Sequence, residues 1–324
     1  MSELISEETT IKRVTIVELK TPEEIKKEAE ETPYKKGSLT DTTDEKKLVG
    51  KTGMKFARIQ SPSSINTYKQ CPRKYYYHYI EKLPSDKSIH LTRGSIAHQV
   101  LEDFFKLDIN KIPEENVVFV LKIFIHDKFK QEWEKNKEEL NSLGMDQTML
   151  DYYYYETREM LNRWYQVFVH KLAEEMKTSP LNNAFKKLTP RTEEFYQSEI
   201  YGVRGYIDAV HNEEEGVTVV DYKTSKRRKM SDAYKLQLAI YALMHEEKHG
   251  FLPKKAGIFF LKHGAFDTVD VNEELVDLAK LECELIHTNT QTKEKEDYPK
   301  KPGPLCKWRT GACTFYDNCF GCKK

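Results

Sequence analysis

Residues 203–225 read VRGYIDAVHNEEEGVTVVDYKTS. Residues 203–211 and 217–223 are β-rich runs, and Asn212-Glu-Glu-Glu-Gly216 between them is turn chemistry, so the stretch predicts an antiparallel hairpin. Side chains alternate faces along a strand, which places Asp221 and Lys223 on one face and Tyr222 on the other. Asp208 stands on the neighbouring strand, where its carboxylate can converge with that of Asp221. Two carboxylates at strand ends can hold a hard divalent ion such as Mg²⁺ or Mn²⁺ through oxygen. Such an ion can lower the pKa of a water and neutralise charge on a scissile phosphate. A lysine beside it can position or activate that water, or stabilise developing negative charge. The plain alternative is an edge hairpin with solvated charges, because an isolated Asp-x-Lys is a common tripeptide.

The flanks carry the other elements. Ser61 or Ser63 can cap a helix with Pro62 in its first turn, and Pro72 forces a break within SINTYKQCPRKYYYHYI. Residues 94–107 predict a second helix, with Ile96, Val100, Leu101, Phe104 and Phe105 on an apolar stripe. Residues 114–136 and 146–177 read as two longer helices, forming a helical insertion over about 110–190. A strand is expected over 194–201, a helix over 233–249, strands over 256–262 and 268–271, and a helix over 273–288. Cys283 falls in an apolar pattern with Leu278, Leu281 and Leu285 and reads as a core thiol. The fold class is α/β.

Four further groups bear on the metal-and-phosphate reading of that hairpin. Gly94-Ser-Ile-Ala-His98 opens the second helix. A lone helical histidine is usually a satisfied residue; as a ligand, neutral imidazole suits Mn²⁺ better than Mg²⁺. Glu102 lies one turn later on the same face and reads as solvated. Gln237 and Tyr241 share one face of the 233–249 helix, while Leu236, Ile240 and Leu243 can face the core. Gln237 can hold a phosphate or order the site, and Tyr241 can stack on a base or pack. Lys226, Arg227, Arg228 and Lys229 follow the Asp-x-Lys strand, where a basic run can hold DNA phosphates or form a solvated loop. Tyr75 to Tyr77 and Tyr152 to Tyr155 can stack unpaired bases or line a core.

Six cysteines are unevenly placed: Cys71 and Cys283 stand alone, while Cys306, Cys313, Cys319 and Cys322 crowd the last 19 residues. A terminal cysteine cluster in an intracellular chain reads first as a metal or cluster site. A zinc knot from the last four needs no Cys71.

Asp208 with Asp221-Tyr222-Lys223 resembles the metal-binding core of the PD-(D/E)xK nuclease superfamily, in its RecB-like branch. Gly94-Ser-Ile-Ala-His98 resembles that branch's motif ending in a metal-ligating histidine, and Gln237-Leu-Ala-Ile-Tyr241 its QxxxY motif. Cys71-Pro-Arg-Lys-Tyr-Tyr plus the terminal cysteines resembles the iron–sulfur staple of Cas4-like and AddB-like nucleases. The likeness covers roughly residues 56–324. It implies a restriction-endonuclease-like mixed sheet flanked by helices, with metal held by His98, Asp208 and Asp221. It implies that Lys223, Gln237 and Tyr241 join Asp208 and Asp221 in catalysis; Lys226, Arg227 and Arg228, placed just after that strand, are the expected DNA contacts. It also implies an acidic residue on the strand before Asp208, for which Glu199 is the natural candidate. One cysteine before the core and three after it would hold a [4Fe–4S] cluster. The family's tail spacing is Cys-x2-Cys-x5-Cys, whereas this tail reads Cys306-x6-Cys313-x5-Cys319-x2-Cys322. The shared x5 step favours Cys71, Cys306, Cys313 and Cys319, with Cys322 spare or substituting for Cys306 or Cys319.

Lysine plus arginine and aspartate plus glutamate each number 52, so bulk charge does not announce a nucleic-acid binder. Residues 1–50 carry 12 acidic and 9 basic side chains, and 1–55 reads as a poorly ordered charged tail. Within it, Val14-Thr-Ile-Val-Glu-Leu19 can form a strand or docking peptide. The nuclease domain is expected over 56–324, with a Cys-rich end at 297–324. No apolar run approaches a membrane span and the first residues form no signal peptide, so a cytoplasmic protein without a membrane partner is expected. The likeness implies a single-strand-preferring deoxyribonuclease, more an exonuclease than an endonuclease. Such enzymes act in DNA repair, recombination or replication, or in CRISPR spacer acquisition; a chain of this length suits a phage or bacterium. No G-x-x-x-x-G-K-[ST] is present, so unwinding would come from a helicase, recombination or replication partner. The rivals are a non-catalytic DNA-binding adaptor keeping the fold, and a zinc-containing interaction protein.

Overall fold

The structure is a computed structural model that describes residues 48–49, 55–309 and 311–321. Most of the tail expected over 1–55, including Val14 to Leu19, lies outside these residues, as does Cys322. At the tail's end β1 (Leu48–Val49) pairs antiparallel with β2 (Lys55–Phe56).

Local chemistry sets the first helices. Ser61 caps α1 (Pro62–Gln70) through a capping box, its N–H donating to Ser64 Oγ at 2.8 Å. Cys71 adopts an extended backbone, after which α2 (Pro72–Tyr75) and a π-turn (Tyr76–Ile80) follow, so the break falls at Pro72 as expected. α3 (Ile89–Phe104) starts five residues before the expected Gly94, because Ser88 supplies a cap, accepting from Leu91 N at 3.4 Å. Ile96, Val100, Leu101 and Phe104 are buried on it. The insertion comprises α4 (Val117–Lys135), α5 (Lys137–Ser142), α6 (Gln147–Met176) and α7 (Leu181–Leu188).

The central sheet has five strands in the order β3 (Arg191–Ser198), β4 (Val203–Glu213), β5 (Gly216–Lys223), β6 (Lys255–Phe260) and β7 (Ala265–Asp270). β4 and β5 form the expected hairpin. α8 (Asp232–His249) carries the chain from β5 to β6, the one parallel pair, as parallel neighbours require a crossover. α9 (Glu273–Asn289) follows β7, and the end holds β8 (Lys307–Trp308), β9 (Gly311–Ala312) and α10 (Tyr316–Phe320).

Helices cover both sheet faces. Ala209, Val220, Tyr222 and Phe259 pack with α3, α4, α6 and α7. Ile207, Val219 and Ile258 pack with α1, α2, α8 and α9. Cys283 is fully buried, but Leu278, Leu281 and Leu285 are exposed; its companions are Val276, Ala279 and Ile286. α9 has two apolar stripes, and α8 and α1 cover the one containing Cys283. At the β3–β4 turn Gly202 has φ +57°, and a Cβ there would stand 2.8 Å from both His287 Nε2 and Phe56 Cδ2.

Candidate active site

The site forms where the β4–β5 ladder stops. Backbone pairing runs from Glu213↔Gly216 to Ala209↔Val220. At the next position Asp208 Oδ2 accepts from Tyr222 N at 2.7 Å, so a side chain takes the N–H that a strand carbonyl would take. The same carboxylate accepts from His98 Nδ1 at 3.2 Å. His98 reaches it because α3 approaches the end of β5 at Gly94, whose Cβ position lies 3.7 Å from Thr224 Oγ1.

Asp221 is the buried centre, 2% exposed. Its Oδ1 accepts from Gln237 Nε2 at 2.7 Å and Tyr241 OH at 3.4 Å, and Gln237 also donates to Tyr241 OH at 2.8 Å. Helical i,i+4 spacing on α8 thus orients a single carboxylate oxygen. The other oxygen, Oδ2, lies 2.6 Å from Lys223 Nζ as an ion pair. It is buried and accepts no aligned hydrogen bond.

Burial pushes the Asp221 carboxyl up, Lys223 opposes this and Asp208 adds to it, leaving a net rise. Burial also raises Asp208, but His98, the Tyr222 N–H and Lys223 outweigh it and hold Asp208 low. For His98, burial favours the neutral ring, and Asp208 more than reverses that, with the pKa raised to about 9. Burial disfavours the Lys223 ammonium, yet Asp221 and Asp208 raise its pKa, so Lys223 is a fixed positive charge.

A further acid joins the group. Glu193 sits on β3 between the pairs Thr192↔Ala209 and Glu194↔Ile207, opposite Asp208. Its backbone has φ +48°, a conformation that costs a non-glycine residue about 1–3 kcal/mol and gathers at functional sites. Donor atoms of His98, Glu193 and Asp208 all lie within 4.8 Å of one another, the single such group among the described residues. Glu199 instead lies in the turn after β3, its N–H donating to Glu247 Oε1 at 3.1 Å, too far along the strand to join them. Oxygen and imidazole donors gathered beside the buried Asp221 carboxylate fit a divalent cation. Asp208, Glu193 and His98 would hold it, with Asp221 Oδ2 alongside.

A second ion cluster pins the insertion to this site. Buried Arg93 of α3 ion-pairs with Glu156 of α6 and donates to Thr224 O at 3.4 Å, just past Lys223. Lys262, after β6, reaches Glu156 Oε1 at 2.5 Å. Glu156 is lowered to about 2: burial opposes ionisation, but Lys262 and Arg93 prevail. None of these three was singled out in the sequence, where no local pattern links them.

The basic run lies on the loop after β5. Lys226 and Arg227 are exposed, while Arg228 forks onto Asp267, with Nε 3.0 Å from Oδ1. Tyr75 and Tyr77 are core residues, whereas Tyr152 and Tyr155 are exposed. Cys71, Cys306, Cys313 and Cys319 are free and half-buried. Among the described residues their thiols form no group with all sulfurs within 4.8 Å. The chain end nevertheless returns to the Cys71 segment: Arg73 Nε donates to Tyr298 O at 2.7 Å and Tyr77 OH to Asn318 O at 2.7 Å.

The sequence matches the profile described as the PD-(D/E)XK nuclease superfamily over residues 60–320. No curated protein sequence matches it. Among solved structures, the chain is similar to an exonuclease candidate from Eubacterium rectale, with 14% identity, 77% of this chain and 86% of that chain covered, and a TM-score of 0.42. The matched span runs from the bridge at Gln60 through the whole sheet to α10. The five-stranded mixed sheet between helices, and the profile match over most of the sequence, place this chain in the PD-(D/E)XK nuclease superfamily.

Proposed function

We propose that the chain is a divalent-metal-dependent deoxyribonuclease that hydrolyses phosphodiester bonds and prefers single strands, working from ends. The observation that carries the reading is the convergence of His98, Glu193 and Asp208 beside the Asp221–Lys223 pair. The ion supplies a water of lowered pKa and neutralises negative charge on the phosphate. Gln237 and Tyr241 hold Asp221 in one orientation. Lys223, kept protonated by its neighbours, offers a charge and a donor to the phosphate oxygen or the attacking water. It is therefore not the base. The intact set counts against a non-catalytic adaptor.

Cys71, Cys306, Cys313 and Cys319 are the proposed [4Fe–4S] ligands. Burial raises the Cys319 thiol, against Lys300 and with Cys71 and Cys306 adding to the rise, and the return of the chain end to the Cys71 segment through Arg73–Tyr298 and Tyr77–Asn318 supports the grouping.

The reading is tested by incubating anaerobically purified protein with end-labelled single-stranded and duplex DNA in Mn²⁺. Shortening of the single strand, with label at each end tested in turn, is expected and gives the polarity. Inert protein with its metal bound overturns the reading.

A further inference from the structure

We propose that a cleft on the helical insertion takes an unpaired nucleobase of the strand being cut, with preference for bases that carry an exocyclic amino group. This rests on the nuclease reading above. The cleft measures about 300 Å³ and lies between α4, α5 and α6. Its aromatic wall is Trp133, Tyr154 and Tyr155. Trp133 and Tyr154 meet edge to face at 5.3 Å, as do Tyr154 and Tyr155 at 5.4 Å. Flat rings set at right angles suit stacking of one base face with an edge contact beside it.

Asn141, Gln147 and Asp151 complete the lining, and amide and carboxylate groups are what base edges pair with. Gln147 Nε2 donates to Asp151 Oδ1 at 2.7 Å, which restrains the carboxylate within the lining. A carboxylate accepts from the amino group of cytosine; thymine has none there. The remaining charges, Glu134 and Lys137, pair with each other at 2.6 Å. A neutral aromatic ligand therefore suits the cleft better than a free anion.

The cleft is also tied to the active site. Tyr152 OH donates to Glu156 Oε1 at 3.3 Å, and Glu156 is the partner of Arg93 and Lys262 beside the end of β5. From Glu156 back to Asp151 is about 7.5 Å along α6. α5, which also lines the cleft, is tied to α3 through Glu139, outside the lining, which accepts from Thr92 Oγ1 at 2.7 Å. A base a few nucleotides from the scissile bond can thus lie in the cleft while its backbone passes Lys226 and Lys262.

The test places Tyr155→Ala and, separately, Asp151→Asn in a Lys223→Ala background. Anisotropy of labelled oligo-dC and oligo-dT is then measured with EDTA present. Tyr155 is 62% exposed, so its truncation leaves the fold intact, and circular dichroism checks this. Tighter binding of oligo-dC than oligo-dT is expected, with about tenfold weaker binding after Tyr155→Ala. Asp151→Asn should narrow the dC-to-dT ratio. Unchanged affinity for both oligonucleotides in Tyr155→Ala, or an unchanged ratio in Asp151→Asn, overturns the proposal. Cleavage by the chain with native Lys223 is read in parallel. If it cuts DNA while Tyr155→Ala binds normally, the cleft assignment fails alone. If it cuts nothing while Tyr155→Ala weakens binding, the nuclease reading fails alone.

Discussion

Asp221 Oδ1 has its donors within the fold, whereas Oδ2 faces one ammonium out of line and nothing else. The Lys223 ammonium is the cation that offsets the burial of that oxygen. Gln237→Ala frees the ordered oxygen, and loss of such an orienting partner typically costs about 10–100-fold in metal affinity or activity. Titration of cleavage with Mn²⁺ should show that rise in half-saturation. His98 gives a pH signature in metal-free protein. Its folded pKa, about 9, lies above the ordinary value, so the His98–Asp208 pair contributes fully below about pH 6.5 and is lost as pH climbs through about 9. Thermal melts in EDTA should fall over that window, and His98→Gln should flatten the fall. Strand alternation puts Asp221 and Lys223 on one face and helical i,i+4 spacing puts Gln237 and Tyr241 on one face, whereas His98 could be named only through the family resemblance, because a lone helical histidine carries no spacing signal. Glu193 could not, since its left-handed backbone has no mark in Thr192-Glu-Glu194 and Glu199 is an equally acidic neighbour.

At the scale of elements, helix and strand positions followed apolar periodicity closely, but helix faces and long-range pairings did not. α9 offers leucines on one side and Val276, Ala279, Cys283 and Ile286 on the other, and only its packing on α8 and α1 decides between them. Similarly, Arg93 and Glu156 are 63 residues apart in sequence, and their partnership depends on how α6 crosses α3. Arg93 is only 2% exposed, so removing Glu156 leaves a buried guanidinium without its counter-charge. Breaking such a pair costs about 3–5 kcal/mol. Glu156→Ala should therefore unfold in urea at a clearly lower midpoint, with a smaller loss for the exposed Lys187→Ala. Equal, small losses would show that the cluster does not anchor the insertion.

Over the whole molecule, the family profile covers residues 60–320 and the sheet lies between two helical layers. The segment around Cys71 and the chain's last elements are brought together by Arg73, Tyr77 and Lys301, whose Nζ donates to Lys69 O at 3.0 Å. A cluster joining them would close a loop of more than two hundred residues, which restricts the unfolded chain. Under the proposed cluster, Cys71→Ser should lose the iron chromophore and melt at lower temperature, while Cys283→Ser keeps its iron. Zinc without iron in anaerobic protein would replace the cluster by a zinc site.

The central claim is that Lys223, paired with Asp221, assists hydrolysis beside the proposed His98–Glu193–Asp208 metal site. The direct measurement compares wild type with Lys223→Ala for cleavage of end-labelled single-stranded DNA in Mn²⁺, with Mn²⁺ binding followed by calorimetry. Wild type should cut, while the variant should still bind Mn²⁺ and cut at least about a hundredfold more slowly. Equal cutting by the two proteins would contradict the account.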